Sequence, residues 1–122
     1  MWHEVILVTT VDIDSSADDA FNRWYNEKHL PEILACPGFI SAARYECETG
    51  QPRYMAIYRL ENENALRTPE MKKVRGWGDM FPYVRNFHER IYRKRFEMSP
   101  RNDAGSRSAV TSQTREPDDE QD

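Results

Sequence analysis

Glycine-rich phosphate loops, paired metal-ligand motifs and a serine nucleophile elbow are all missing from these 122 residues. Their absence disfavours nucleotide binding, a flavin-binding Rossmann domain and zinc chemistry, and it favours a cofactor-free pocket. Long apolar runs are missing too. Nothing approaches the run of about 18 residues that spans a bilayer, and no charged-then-apolar leader opens the chain, so a soluble cytoplasmic protein with no membrane partner is expected. Cysteine is scarce. Cys36 and Cys47 have no metal-binding spacing and are read as free thiols in a reducing compartment, with no neighbour to activate either as a nucleophile. No excess of one charge marks the folded part. From Ser99 onward three arginines face six acids, which takes most of the formal charge of −4 out of the body and argues against nucleic acid as a partner.

That last stretch has Val110 as its single large apolar residue. It cannot bury enough surface to offset its ordering entropy, so residues 99–122 are expected to be a disordered polar tail and residues 1–98 one domain. The basic stretch Arg85, Arg90, Arg93, Lys94 and Arg95 reads either as an ion-paired surface or as an anion site for a carboxylate-bearing ligand.

What is present divides cleanly. Glu4 to Val11 is a short β-branched run of strand length. Asp12 to Ser16 is a polar turn in which Ser15 or Ser16 can cap a helix, with Asp18 and Asp19 favouring its positive end. Ala17, Ala20, Phe21, Trp24 and Tyr25 share one sector of that helix, the side expected to pack on a sheet. Pro31 should end or kink it near His29 or Leu30, with Glu32-Ile33-Leu34-Ala35 able to resume as a short turn that has Pro31 at its first position. After the break at Pro37-Gly38, Phe39, Ser41, Ala43 and Tyr45 alternate with the more polar set Ile40, Ala42, Arg44 and Glu46, which is strand periodicity. Tyr54 to Leu60 returns as the second arm of a hairpin. Glu61 to Arg75 reads as a second helix interrupted at Pro69, Gly76 to Tyr83 as an aromatic-rich loop, and Val84 to Phe96 as the last strand.

Strand, helix, strand, strand, helix, strand is the order of a ferredoxin-like α+β subunit, a four-stranded antiparallel sheet with both helices on one face. The other face also carries apolar and aromatic residues. A second copy covering it would make a homodimer.

The densest chemistry lies between Phe21 and Pro31. His29 titrates near neutral pH and falls about 40° beyond Tyr25 on the helical wheel, at the flank of the apolar side. It is read as an acid or base in a gap with a water path, or alternatively as a cation at the helix end. Tyr25 lies one turn before it, and Asn26 could orient the imidazole or a substrate carbonyl. Trp24, Tyr58, Trp77 and Phe81 are candidate pocket walls, each with a packing role as the alternative. His88 on the last strand is a second candidate for substrate binding if strand register brings it across.

Phe21-Asn22-Arg23-Trp24-Tyr25-Asn26-Glu27-Lys28-His29-Leu30-Pro31, followed by Pro37-Gly38-Phe39, resembles the signature of the dimeric α+β barrel superfamily, in particular its EthD-like members. Pro52 to Tyr58 and Ala65 to Pro69 resemble that group's third strand and second helix. The resemblance implies two sheets closed into a barrel, a pocket between sheet and helices, and His29 as the catalytic residue. It implies an isomerase, cyclase, lyase or decarboxylase acting without a cofactor on a small aromatic, lactone or polyketide-like carbonyl compound, in catabolism or secondary metabolism. Its alternatives are a cofactor-free monooxygenase and a non-catalytic ligand-binding dimer.

Overall fold

The computed structural model describes residues 4–100. The tail expected from residue 99 lies, beyond residue 100, outside the described residues. Four strands, β1 (Val5–Ile13), β2 (Phe39–Glu46), β3 (Tyr54–Leu60) and β4 (Val84–Arg93), form one antiparallel sheet in the order β2-β3-β1-β4. The helical segments α1 (Asp18–Trp24), α2 (Leu30–Leu34) and α3 (Pro69–Val74) supply the second layer. This is the ferredoxin-like α+β fold.

Alternation sets the two faces of the sheet. Val5, Leu7, Thr9 and Val11 of β1 and Tyr54, Ala56, Tyr58 and Leu60 of β3 are buried toward the helices. Phe21 and Leu60 have no exposed surface at all. The core therefore lies between the middle of the sheet and α1, where a buried side chain of this size contributes roughly 1.5–3 kcal/mol by transfer from water.

Four expectations change. The side chain that caps the first helical turn is Asp14, whose Oδ1 accepts from the Ser16 amide at 3.0 Å, and not Ser15 or Ser16. The break expected near His29 or Leu30 is absent, and the turn expected to resume with Pro31 at its start continues the helix without interruption. Tyr25–His29 form a π-helical turn in which the Leu30 N–H bonds back to the Tyr25 carbonyl, and α2 follows with Pro31 in its first turn. The wider turn carries the chain past the point where the proline ring would meet a carbonyl one turn earlier, so helix continues on both sides.

In β2 the simple alternation fails at Ile40. The register passes from Phe39↔Leu60 to Ser41↔Arg59, one residue longer on β2, so Phe39, Ala42 and Arg44 face the helices together and the polar set is not the outer one. Finally, the second helix is short: a 3₁₀ segment at Glu63–Arg67 precedes α3, whose start is capped by Thr68 Oγ1 accepting from the Met71 amide at 3.1 Å. Three members of the basic stretch are ion-paired, with Arg85 to Asp14 at 3.5 Å, Lys94 to Glu4 at 2.9 Å, and Arg93 to Glu63. No helix is long and apolar enough to cross a membrane among the described residues.

Candidate functional site

The π turn places Tyr25 and His29 on the buried side of the helix together. The His29 ring lies flat on Trp24, with centroids 4.5 Å apart and planes 15° apart. It meets Tyr25 edge-on at 5.1 Å and Trp77 at 6.2 Å. His29 is only 5% exposed, so the expected flank position with a water path, and the alternative of a cation at a helix end, are both replaced by an enclosed imidazole. Burial pushes its pKa down to about 4, against a small upward pull from Glu32. It is therefore neutral at pH 7. Among the described residues neither ring nitrogen has a hydrogen-bond partner.

Tyr25 also carries a polar contact into the core. Its hydroxyl and that of Tyr58 are 2.5 Å apart. Desolvation raises both phenols above their ordinary range; their mutual hydrogen bond lowers Tyr25 and raises Tyr58, and the Glu89 carboxylate adds to the rise in each. Both are neutral hydroxyls at any ordinary pH. Tyr58, expected as a pocket wall, is a core residue only 2% exposed.

Asn26 is not beside the imidazole. It is exposed, and its Oδ1 accepts from Arg44 Nη1 at 2.8 Å while Asn22 Oδ1 accepts from Arg44 Nη2 at 2.8 Å. Held by these two amides, the guanidinium lies 4.4 Å from the Tyr25 ring centroid and 5.3 Å from that of Tyr54. Asn22 then donates to Tyr54 at 3.0 Å, and Tyr54 donates to Asp18 at 2.6 Å. Arg44 was hidden in the sequence because the bulge at Ile40 reverses the face it occupies.

A cavity of about 580 Å³ opens between the segment 75–82 and β4. Its walls are Trp77, Phe81, Pro82, Val84 and Phe87, and its polar lining is Arg75 and Glu89. Trp77 has two sides. It meets Phe87 edge-on at 5.0 Å in the cavity and shields His29 behind it. Gly76 and Gly78, with φ of +110° and +52°, flank it.

The structure thus brings His29, Tyr25, Trp24 and Trp77 together and puts Phe81 on the cavity rim. It does not bring His88, which with Arg90 and Tyr92 faces the other side of the sheet in a smaller cavity of about 290 Å³ alongside Val8 and Thr10. Phe87, Glu89 and Arg75 are site residues the sequence did not single out. Among the described residues no cluster of three or more histidine, cysteine or acidic groups is placed to hold a metal ion.

The model of a family described as a domain of unknown function, DUF4286, matches residues 4–98. No curated protein sequence matches the chain. Solved structures share the fold at low identity. A Nitrosomonas europaea protein described as an antibiotic biosynthesis monooxygenase is 10% identical, over 81% of this chain and 97% of its own, with a TM-score of 0.61. An ethyl tert-butyl ether degradation (EthD) family protein from Bacillus halodurans C-125 is 16% identical, over 70% of this chain and 95% of its own, with a TM-score of 0.54. The heme-degrader MhuD of Mycobacterium tuberculosis, solved with two hemes in its active site, is 13% identical over 78% and 99% of the two chains, with a TM-score of 0.59.

Proposed function

The chain belongs to the DUF4286 family, and from the site it carries we propose an enzyme that moves protons on a small carbonyl compound without a cofactor. The observation that supports this reading is His29: a neutral imidazole with no hydrogen-bond partner among the described residues, enclosed by aromatic rings directly behind the cavity wall Trp77. A buried polar group without a partner is uncommon in a folded protein and calls for a reason, and accepting a proton from a bound molecule is one. The imidazolium formed would rest on the face of Trp24, where the ring quadrupole favours a cation. The Tyr25–Tyr58 hydroxyl pair would orient the reacting group. Substrate would reach the imidazole past Trp77, whose two flanking glycines allow the backbone there to turn. An isomerase, cyclase, lyase or decarboxylase would all use this step.

The test begins with a thermal-shift screen of aromatic acids, lactones and polyketide-like phenols, followed by product analysis. His29→Ala should then lower turnover by roughly 10²–10⁴-fold while circular dichroism stays native. Full activity in that variant refutes the assignment.

A second reading keeps the cavity and oxidises an electron-rich substrate with oxygen directly. The ring array Trp24, His29 and Trp77 and the fold shared with a protein described as a monooxygenase favour it. Oxygen uptake without added flavin or metal distinguishes it, and a ligand recovered unchanged would mark a binding protein instead. Heme, which MhuD holds, does not suit this cavity: among the described residues its lining offers no histidine, cysteine, tyrosine or methionine to reach an iron, and His29 lies behind Trp77. The open sheet face is proposed to pair with a second copy, and the two free thiols suit a reducing cytoplasm.

A further inference from the structure

The cavity has one charged pair in an otherwise apolar lining, and the pair is unevenly committed. Arg75 spends both ends of its fork: Nη2 donates to Glu89 Oε1 at 2.9 Å, and Nη1 donates to the Leu66 carbonyl at 3.3 Å. Glu89 spends one oxygen, and among the described residues Oε2 has no partner. The carboxylate is half-buried, on β4, directly across from Thr9 of β1 and on the side of the sheet that faces the helices. A carboxylate can only accept hydrogen bonds, and a second negative charge beside it would be repelled.

We propose that Glu89 selects the ligand of this cavity: an uncharged apolar ring system bearing one hydrogen-bond donor, a hydroxyl or N–H that meets Oε2, in preference to a ring carboxylate. Trp77, Phe81 and Phe87 supply faces and edges for a flat ring, and Arg75, already neutralised, fixes the carboxylate and does not capture an anion. The buried hydroxyls of Tyr25 and Tyr58, which lie outside the cavity lining, stay protonated and add no negative charge to that of Glu89.

The inference rests on reading this cavity as the substrate site, and binding tests it without turnover. The probes are 2-naphthol and 2-naphthoate, titrated by calorimetry at neutral pH into the full chain, into Glu89→Met and into Glu89→Gln. The wild type should bind 2-naphthol more tightly than 2-naphthoate. Glu89→Met should weaken 2-naphthol by roughly tenfold and strengthen 2-naphthoate, because the repelling charge is gone and Arg75 is freed. Glu89→Gln should also gain affinity for 2-naphthoate. These opposite signs cannot come from a collapsed site, which would lose both probes. Tighter binding of 2-naphthoate by the wild type, unchanged 2-naphthol affinity in Glu89→Met, parallel loss of both probes in both variants, or no binding of either probe overturns the proposal. Crossed affinities in a protein whose turnover survives His29→Ala would uphold Glu89 and sink the acid–base reading. Loss of turnover in His29→Ala with no effect at Glu89 would do the reverse.

Discussion

His29 accepts a proton less readily in the folded chain than in the unfolded one, because the rings of Trp24, Tyr25 and Trp77 stand where water would solvate the cation. Its pKa falls from an ordinary 6.5 to about 4. Above pH 6.5 both states are neutral and the group adds no pH dependence. As pH drops from there toward 4 the unfolded chain takes up the proton and the folded chain does not, so stability is lost on acidification. The full loss is about 3 kcal/mol, of which about 2 kcal/mol is felt by pH 5. Urea titrations at pH 7 and pH 5 on the wild type and His29→Leu measure this. The wild type should lose about 2 kcal/mol more than the variant, and equal losses would mean the imidazole is solvated. The sequence marks His29 as chemically interesting but places it on the helix flank. The π turn explains the difference: one additional residue in the turn changes the angular position of every side chain after it, and no helical wheel of constant pitch contains that step.

Between α2 and β2 the chain reverses at Gly38, whose φ of +89° excludes most side chains and whose missing Cβ leaves room for Ala65. A Cβ built there would sit 2.7 Å from the Ala65 Cβ. Gly38→Ala should therefore cost at least about 2 kcal/mol, read as a lowered urea midpoint. Gly50→Ala, with nothing within 4 Å of its Cβ position, is the control and should be near neutral. This reversal was legible, since Pro37-Gly38 is turn chemistry in any context. The elements on either side were legible for the same kind of reason: Val5–Ile13 and Tyr54–Leu60 are short apolar runs of strand length, and their types and order follow. Where a residue is inserted, the reading fails. The bulge at Ile40 turns Arg44 inward. In β4 a second irregularity falls at Asn86, which adopts φ 56° and donates to Asp12 Oδ2 at 2.9 Å. It fixes which side Phe87 and Glu89 take, and so where the cavity lies. A bulge is decided by long-range register, which local periodicity does not carry.

One layer of helices covers one face of the sheet, and the other face has an apolar centre with Arg59, His88 and Arg90 on the same side. Val8 of β1 pairs with Ile57 of β3 at its centre, with Ile6, Met55, Ala43 and Tyr45 around them. Tyr45 and Tyr92 are 51% and 52% exposed there. A two-layer domain with a sheet face of this kind has an unburied side, and a two-fold copy of the same face is the simplest cover because each apolar row then meets its own like. Ile57 is the point of leverage. It lies mid-sheet, with its side chain on the face away from His29, Tyr58 and the core, so a charge there leaves the helix-side packing intact. Sedimentation at micromolar concentrations should give a dimer for the wild type and a monomer for Ile57→Lys, because a lysine at the centre of the interface must be buried without a partner. Circular dichroism should show the same helix and strand content in both. A monomeric wild type, or an Ile57→Lys protein that remains dimeric, would place the self-association surface elsewhere or remove it.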